Sequence, residues 1–503
     1  MIPLFVVLPL STAFLIAIVG RFYKNFSDAI VCFTNFILVV LTFVIFFSLS
    51  LNKVPLIVYN VGGWKIPLGI AMVVDSFSIL MLFVVNIIAF VVSLYSVSYI
   101  EKYTDKWRYF VLFEVMLTGM NGVIISGDIF NIFVFLEIAS ISSYALVGFG
   151  VEAEELEASF KYLVLGTIAS SMILLSIVLI YSYTSTLNLA DIARVVLNNP
   201  ANYLIKLVLL LLVIGLGIKS AVVPFHSWLP DAHPSAPAPI SAMLSGVLIK
   251  TLGVYLLTRL MFNVFFADSE ILRLVYWLGI ISMIVGVVLA LYQWDYKRLL
   301  AYHSISQVGY MFLGIGLGTP LGILGGIFHL ANHSVFKSLL FLTSGALEYS
   351  TGTRELKKLS SYEKSISESM PWTTTSTLVG SLSIAGVPPF NGFWSKLIII
   401  IACVEAKDFM GSFVSIGVSI LTLASFLKVL KYGFYSFAEK GVSGTIREVP
   451  LLMKVAMVML LILCVVMGLL VFPSVNSNFL LSKVVDILSN TRNYSSLVLG
   501  IRI

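Results

Sequence analysis

Charge is scarce in this sequence. Only 11% of its 503 residues are Asp, Glu, Lys or Arg, against about 25% in an ordinary soluble domain, while 59% are hydrophobic. That excludes a soluble globular protein, and a mean hydropathy of +1.03 marks an integral membrane protein. Cysteine is rarer still. Cys32, Cys403 and Cys464 are scattered, each inside an apolar run, without the spacing of a disulfide framework or a metal site. Low-complexity sequence is missing, and no polar stretch is long enough for a soluble domain. The longest, Ser350 to Met370 and Ala438 to Pro450, read as short cytoplasmic connections. The first apolar run has neither a charged region before it nor an A-x-A site after it, so a retained helix is expected, not a cleaved signal peptide.

What is present is a long series of apolar windows. Windows of about 20 residues give helices near 2–20, 29–51, 75–99, 109–126, 128–149, 159–183, 203–223, 238–261, 271–293, 299–318, 320–347, 372–402, 411–436 and 451–473, about fourteen in all. Lys53 to Asp75, with Gly62, Gly63 and alternating apolar residues, reads as an outer hairpin. If both termini face outward, more than half of the 31 Lys and Arg residues fall on cytoplasmic loops. The positive-inside rule therefore favours an even number of spans with both ends outside, and the net charge of +6 needs no nucleic acid to explain it.

The middle of the chain repeats itself weakly. Pro224-Phe225-His226-Ser227-Trp228 echoes Pro389-Phe390-Asn391-Gly392-Phe393, and Tyr144, Gly148 and Gly150 echo Tyr310, Gly314 and Gly316 at nearly the same offset. On that register Glu137 falls opposite His303. The expected organisation is 1–108 for three helices with the hairpin, 109–261 for a five-helix bundle, 271–436 for a second, inverted five-helix bundle, and 437–503 for a last helix and a short tail. An odd number of helices per copy forces the inversion, and matching interrupted helices point to an ion site in such folds. The interruptions here are V-P-F-H-S-W-L-P and G-V-P-P-F-N-G-F, because proline removes a backbone donor and frees carbonyls that need other partners. Two ordinary proline kinks are the plainer account.

Five ionisable residues, Glu137, Lys219, Lys250, Lys337 and Lys396, lie inside these windows. Unpaired, they would cost about 12–17 kcal/mol together, which rivals the roughly 5–15 kcal/mol stability of a whole domain. Such groups persist if they pair, reach water or give up their charge, and each remedy leads toward proton or ion handling. Glu137 near the middle of its helix is set for titration, or for a static ion pair locking two helices. Lys219 and Lys250 are candidate partners and proton acceptors, although Lys250 is placed where it could instead snorkel to the headgroups. His329, His333 and Lys337 recur every four residues and drift only about 80° around a helix, forming one polar stripe. Histidine suits a relay with water; a haem or metal site and polar packing between helices are the alternatives. Among lesser candidates, Glu114 and Lys161 read as interfacial and Asp75 as a helix cap, while His226, His233 and His303 could extend a pathway or bond a broken backbone.

These residues carry a resemblance. The strings F-V-F-L-E-I-A-S-I-S-S-Y-A-L, K-S-A-V-V-P-F-H-S-W-L-P-D-A-H-P-S-A-P-A-P-I-S-A-M-L-S-G-V-L-I-K, Q-W-D-Y-K-R-L-L-A-Y-H-S-I-S-Q-V-G-Y-M and H-L-A-N-H-S-V-F-K-S-L-L-F-L resemble the antiporter-like subunits of respiratory complex I, of membrane-bound hydrogenases and sulfane reductases, and the large subunits of Mrp-type sodium/proton antiporters. The likeness covers about Asp75 to Val471.

It implies an all-α membrane protein of fourteen helices, two inverted five-helix half-channel bundles with helices seven and twelve broken, and a central hydrophilic axis. By position, Glu137, Lys219 and Lys250 match the family residues of helices five, seven and eight, and His329, His333 and Lys337 the polar run of helix eleven. Lys396 matches a helix-twelve position that is lysine in some members and glutamate in others. No quinone, flavin, iron–sulfur or haem ligand set is visible, so no cofactor or metal is expected, and any redox chemistry belongs to other chains. After Val471 only one short amphipathic stretch remains, so a long lateral helix is not expected. The function expected is proton translocation in a multisubunit complex of the cell membrane, coupled to sodium exchange or electron transfer in partner subunits. A non-conducting scaffold subunit and a subunit forming a quinone pocket are the competing readings.

Overall fold

In hydrocarbon no water is available to the backbone, so each apolar run satisfies its own N–H and C=O groups as a helix. The computed structural model describes residues 1–23, 25–51, 54–103, 105–198, 203–437, 446–469, 480–489 and 491–500. Most of the connection expected at Ala438 to Pro450, Lys53 of the hairpin, and the end of the last expected window lie outside the described residues. The long helices are α1 (Leu4–Val19), α2 (Phe26–Leu51), α3 (Ser76–Tyr99), α4 (Lys106–Ile125), α5 (Ile129–Val147) and α6 (Ala153–Thr184), followed by a short α7 (Leu189–Asn198) and α8 (Tyr203–Ser220). Then come a short α9 (Leu229–Ser235), α10 (Ala238–Val264), α11 (Ser269–Leu291), α12 (Tyr296–Gly316), α13 (Pro320–Thr351), α14 (Pro371–Ala385), α15 (Asn391–Glu405), α16 (Phe409–Tyr435), α17 (Leu451–Leu469), α18 (Leu480–Ser489) and α19 (Thr491–Leu499).

Among the described residues, 10 of these helices are long and apolar enough to cross a membrane. The expected windows outside that set differ for definable reasons. Helix α1 has only 16 residues. Helices α12 and α13 are lengthy but interrupted by His, Ser, Asn, Gln and Lys. The 372–402 window is two 15-residue helices, α14 and α15, parted at Gly386. The other proline interruption also appears as a break, between α8 and α9.

Burial sorts the helices into an inner and an outer set. Every residue of α10 is buried, and α3, α12 and α13 are buried along most of their length. Outer helices expose Phe33, Phe47, Phe160 and Phe413, as a lipid-facing surface requires. The inner helix α10 is wound in wide π turns over Leu244–Leu248 and Lys250–Tyr255, a distortion common at functional positions.

The expected hairpin is present: β1 (Leu56–Asn60) pairs antiparallel with β2 (Ala71–Asp75). Asp75 then caps α3, accepting from the Ser78 N–H at 2.9 Å. Helix α6 starts six residues before its expected boundary because Glu152 and Glu155 form a reciprocal capping box. Lys161 consequently lies beyond the first turns, on a surface where it pairs with Glu157 at 2.8 Å and Asp231 at 3.0 Å. The tail, expected as one amphipathic stretch, forms α18 and α19. Ser495 donates to the Ala190 carbonyl at 2.6 Å and Asn263 to that of Ile487 at 2.8 Å, fastening these helices to α7 and α10.

Candidate functional site

Three residues of α5 share one face by their spacing: Glu137, Ser140 and Tyr144. Against that face comes the last turn of α8 with Lys219. Its ammonium donates to Ser140 Oγ at 2.9 Å and Tyr144 Oη at 3.3 Å, and lies 3.8 Å from Glu137 Oε1. Glu137 also accepts a hydrogen bond from Ser170 of α6. The two partners differ in setting, since the Lys219 side chain is 3% exposed and that of Glu137 30%. Glu137 shares an outward stripe with Val134 and Ile141, both exposed, so its carboxylate reaches the outer edge of the chain.

The break beyond Lys219 is stabilised by side chains. Trp228 Nε1 donates to the Ile218 carbonyl at 3.0 Å, and Ser282 Oγ accepts from the Val223 N–H at 2.9 Å. The Trp228 ring stacks on Tyr162 at 4.1 Å, and Tyr162 meets Tyr144 edge-on at 4.5 Å.

From α8 the polar residues continue through α10. A Cβ on Gly253 would fall 1.9 Å from Ser220 Oγ, and one on Gly246 2.1 Å from Ser338 Oγ, so α10 packs tightly against the residues beside Lys219 and Lys337. Lys250 is completely buried and donates to the carbonyl of Ser245, within its own helix. That rules out the snorkelling alternative. Ser245 Oγ lies 2.6 Å from Ser304 Oγ, Ser304 donates to the Leu300 carbonyl at 3.1 Å, and Lys337 donates to the same carbonyl at 2.5 Å. The Ser245–Ser304 hydroxyl pair thus lies between the two lysines, each of which donates to a backbone carbonyl beside it, Lys250 to Ser245 and Lys337 to Leu300.

The stripe on α13 continues outward. His333 has no exposed surface and no protein partner on either ring nitrogen. Its ring centroid is 6.2 Å from that of His329, whose Nδ1 lies 3.0 Å from Ser395 Oγ. His329 lies 5.3 Å from the Tyr310 ring, and Lys396 Nζ is 4.8 Å over that ring. Lys396 donates to the carbonyls of Ile384 at 2.8 Å and Ala385 at 3.5 Å, the freed end of α14. A cation at a helix C-terminus meets the negative end of the dipole. The Lys219–Tyr144 pairing at the first break thus has a counterpart in Lys396–Tyr310 at the second.

The structure gathers the seven principal residues into two groups, Glu137 with Lys219 and, beyond α8, Lys250, Lys337, His333, His329 and Lys396. The lesser candidates divide. His233 is buried with both nitrogens unpartnered by protein, and His303 Nε2 lies 2.8 Å from Ser425 Oγ. His226 is half-buried and stands apart from both groups. Glu114 is completely buried within the chain on α4, facing Asn35 of α2. Sequence reasoning missed Ser140, Ser170, Ser245, Ser304 and Ser395. Tyr144 and Tyr310 were visible as repeat markers, and only their hydroxyls' partners were not.

Residues 126–422 match the family described as NADH:quinone oxidoreductase/Mrp antiporter, TM, and residues 59–110 the complex I chain 5 N-terminus. The chain is 33% identical over 392 residues, 78% of each protein, to a Na(+)/H(+) antiporter subunit of Alkalihalophilus pseudofirmus. It superposes with a TM-score of 0.90 and 30% identity on a chain of an archaeal membrane-bound sulfane sulfur reductase, covering 99% of both. The corresponding figures for a chain of the Mrp complex from Dietzia sp. are 0.89, 28% and 99%.

Proposed function

Because the chain belongs to the NADH:quinone oxidoreductase/Mrp antiporter family of membrane subunits, we propose that it conducts protons through Glu137, Lys219, Lys250, Lys337, His333, His329 and Lys396. In this reading it works in the cell membrane beside other membrane subunits. The observation that carries it is the buried cluster of Lys250, Lys337 and the Ser245–Ser304 hydroxyl pair between them, flanked by a lysine at each helix break. Lysine and imidazole exchange protons, and the serine hydroxyls between them both donate and accept. Buried ring nitrogens of His329 and His333 without protein partners fit a water-bridged relay. Glu137 stands 3.8 Å from Lys219 while bonded to Ser170, so a small turn of its carboxylate changes the field at the ammonium.

Fourteen crossing segments, in two inverted five-helix units with both termini outside, are the topology that goes with this reading. The recurrence of the lysine–tyrosine pair at the two breaks supports the repeat. The outward edge of Glu137 supports a neighbouring subunit there, since a carboxylate facing bare lipid is costly. Proton flow is coupled either to sodium movement, as the name of the Alkalihalophilus relative states for that protein, or to reduction chemistry in partner chains, a reading that fits the likeness to a chain of a complex named a sulfane sulfur reductase.

The test is proton flux in proteoliposomes holding the whole complex, with Glu137→Gln and Lys219→Met. Both changes keep volume and remove charge. Lost flux with intact assembly is the expected result. Full flux in both variants would refute the role, and lost assembly with normal flux per assembled complex would favour a scaffold.

A further inference from the structure

A cavity of about 580 Å³ opens where the ends of α3, α9 and α13 meet the start of α12, on the side marked by the basic loops. Its wall is mostly charge, including Lys102, Glu155, Lys297, Glu348, Arg354 and Lys358. At its floor the Lys297 side chain, only 2% exposed, sits 3.0 Å from Glu348 Oε2. Arg354 Nη1 approaches the other oxygen, Oε1, at 3.4 Å, and its Nε lies 2.6 Å from Asp295 Oδ2. Two cations thus hold one carboxylate. The same cations donate to the backbone of a single segment, Lys297 to the Ala236 carbonyl at 3.2 Å and Arg354 to that of Pro234 at 2.7 Å.

That segment also carries His233. Its imidazole is buried, and neither nitrogen has a protein partner. The ring lies 4.8 Å from Phe341, and Lys337 Nζ lies 5.5 Å from the same Phe341 ring. The titratable groups facing it are Lys337 of α13, Lys250 of α10 and Lys297 of α12. An unbonded buried imidazole between a charged cavity and the buried Lys250 and Lys337 is costly as a mere packing element. It is well suited to carrying a proton inward.

We propose that this cavity is the loading mouth of the proton path, that the Lys297–Glu348 pair is its gate, and that His233 is the first buried proton carrier behind it. The inference rests on the proton-conducting reading above. One imidazole nitrogen takes a proton from water in the cavity and the other releases its own toward an uncharged Lys337 amine. The ring therefore ends neutral with its tautomer exchanged, and a ring turn resets it. Glu348 opens the mouth by moving from Lys297 to Arg354, which already lies beside it.

The experiment uses the whole complex in proteoliposomes containing a pH-sensitive dye. His233→Ala should slow flux by about a hundredfold, the lower range for a positioned proton-transfer group, and added imidazole should restore it, which it would not do for a packing defect. Lys358→Cys, at a rim position where the native side chain is 70% exposed, leaves the floor intact. A bulky thiol reagent should then block flux in this variant and leave the parent protein unaffected. The mouth stands only if both the imidazole rescue and the block are seen; any other combination overturns it. Lys219→Met in parallel separates the two readings. If it stops flux while His233→Ala and the blocked variant run at full rate, the mouth is refuted and proton conduction survives, whereas full flux in Lys219→Met sinks conduction itself.

Discussion

Arg259 sets both terminal nitrogens on the carboxylate of Asp75, with Nη1 2.5 Å from Oδ2 and Nη2 2.7 Å from Oδ1. Further bonds reach Ser78 Oγ at 3.1 Å, Tyr255 Oη at 3.2 Å and Asn263 Oδ1 at 3.1 Å. This bidentate pair is buried and richly bonded, which fixes both charges in place. Two of the proposed proton carriers are bonded far less: Lys337 has one carbonyl partner, and His333 has no protein partner.

Breaking the saturated pair should therefore damage folding. Asp75→Ala strands a buried guanidinium and is expected to cost about 3–5 kcal/mol, read as a lowered Tm of the detergent-solubilised chain. Adding Arg259→Leu should recover most of that loss, because replacing both partners removes the stranded charge. A double variant no more stable than the single one would contradict this account of the pair.

Tyr144 reaches Lys219 because α6 offers no side chain in its way. A Cβ on Gly166 would stand 1.9 Å from Tyr144 Oη and 2.6 Å from Cζ. Gly166→Ala should push the ring off Lys219, lowering proton flux at a stability cost of about 1–3 kcal/mol. Flux per assembled complex is the quantity to measure. An unchanged rate would show that the tyrosine hydroxyl plays no part.

Sequence exposed the principal residues because a charge inside an apolar helix stands out by composition alone, as at Lys219 and Lys396. The two breaks were legible for a similar reason, since Pro224 and the Pro388-Pro389 pair lack the N–H a helix needs. What stayed hidden depends on partners distant in the chain. Asp75 read correctly as a cap, but its pairing with Arg259, 184 positions away, has no local signature. Lys297, Glu348 and Arg354 look like loop charges until folding places them around one cavity. The serines between the lysines are too common in apolar helices to signal anything before their neighbours are known.

Those serines make a specific expectation. Ser245 and Ser304 meet at 2.6 Å and are the paired hydroxyls lying between Lys250 and Lys337, whose ammonium groups rest on neighbouring backbone carbonyls. Ser304→Ala should slow flux by about tenfold, equivalent to roughly 1.4 kcal/mol on the barrier, with assembly intact. The Ser245→Ala, Ser304→Ala double variant should be no slower than either single one, because each already breaks the same pair. Additive losses would mean the two hydroxyls act separately.

The second break yields the last prediction. Gly386 closes α14 with φ +82°, and a Cβ there would lie 3.0 Å from Lys396 Cδ. Any other L residue strains the backbone by about 1–2 kcal/mol, and its side chain crowds the lysine stem. Gly386→Ala should thus lower Tm modestly and reduce flux by displacing the ammonium from the Ile384 and Ala385 carbonyls. Lys396→Met should stop flux and also leave those two carbonyls without their donor, while Lys396→Arg keeps a donor at the helix end but removes a group able to release its proton. Stability restored by arginine without flux would assign the proton to the lysine, and restored flux would reduce Lys396 to a helix cap.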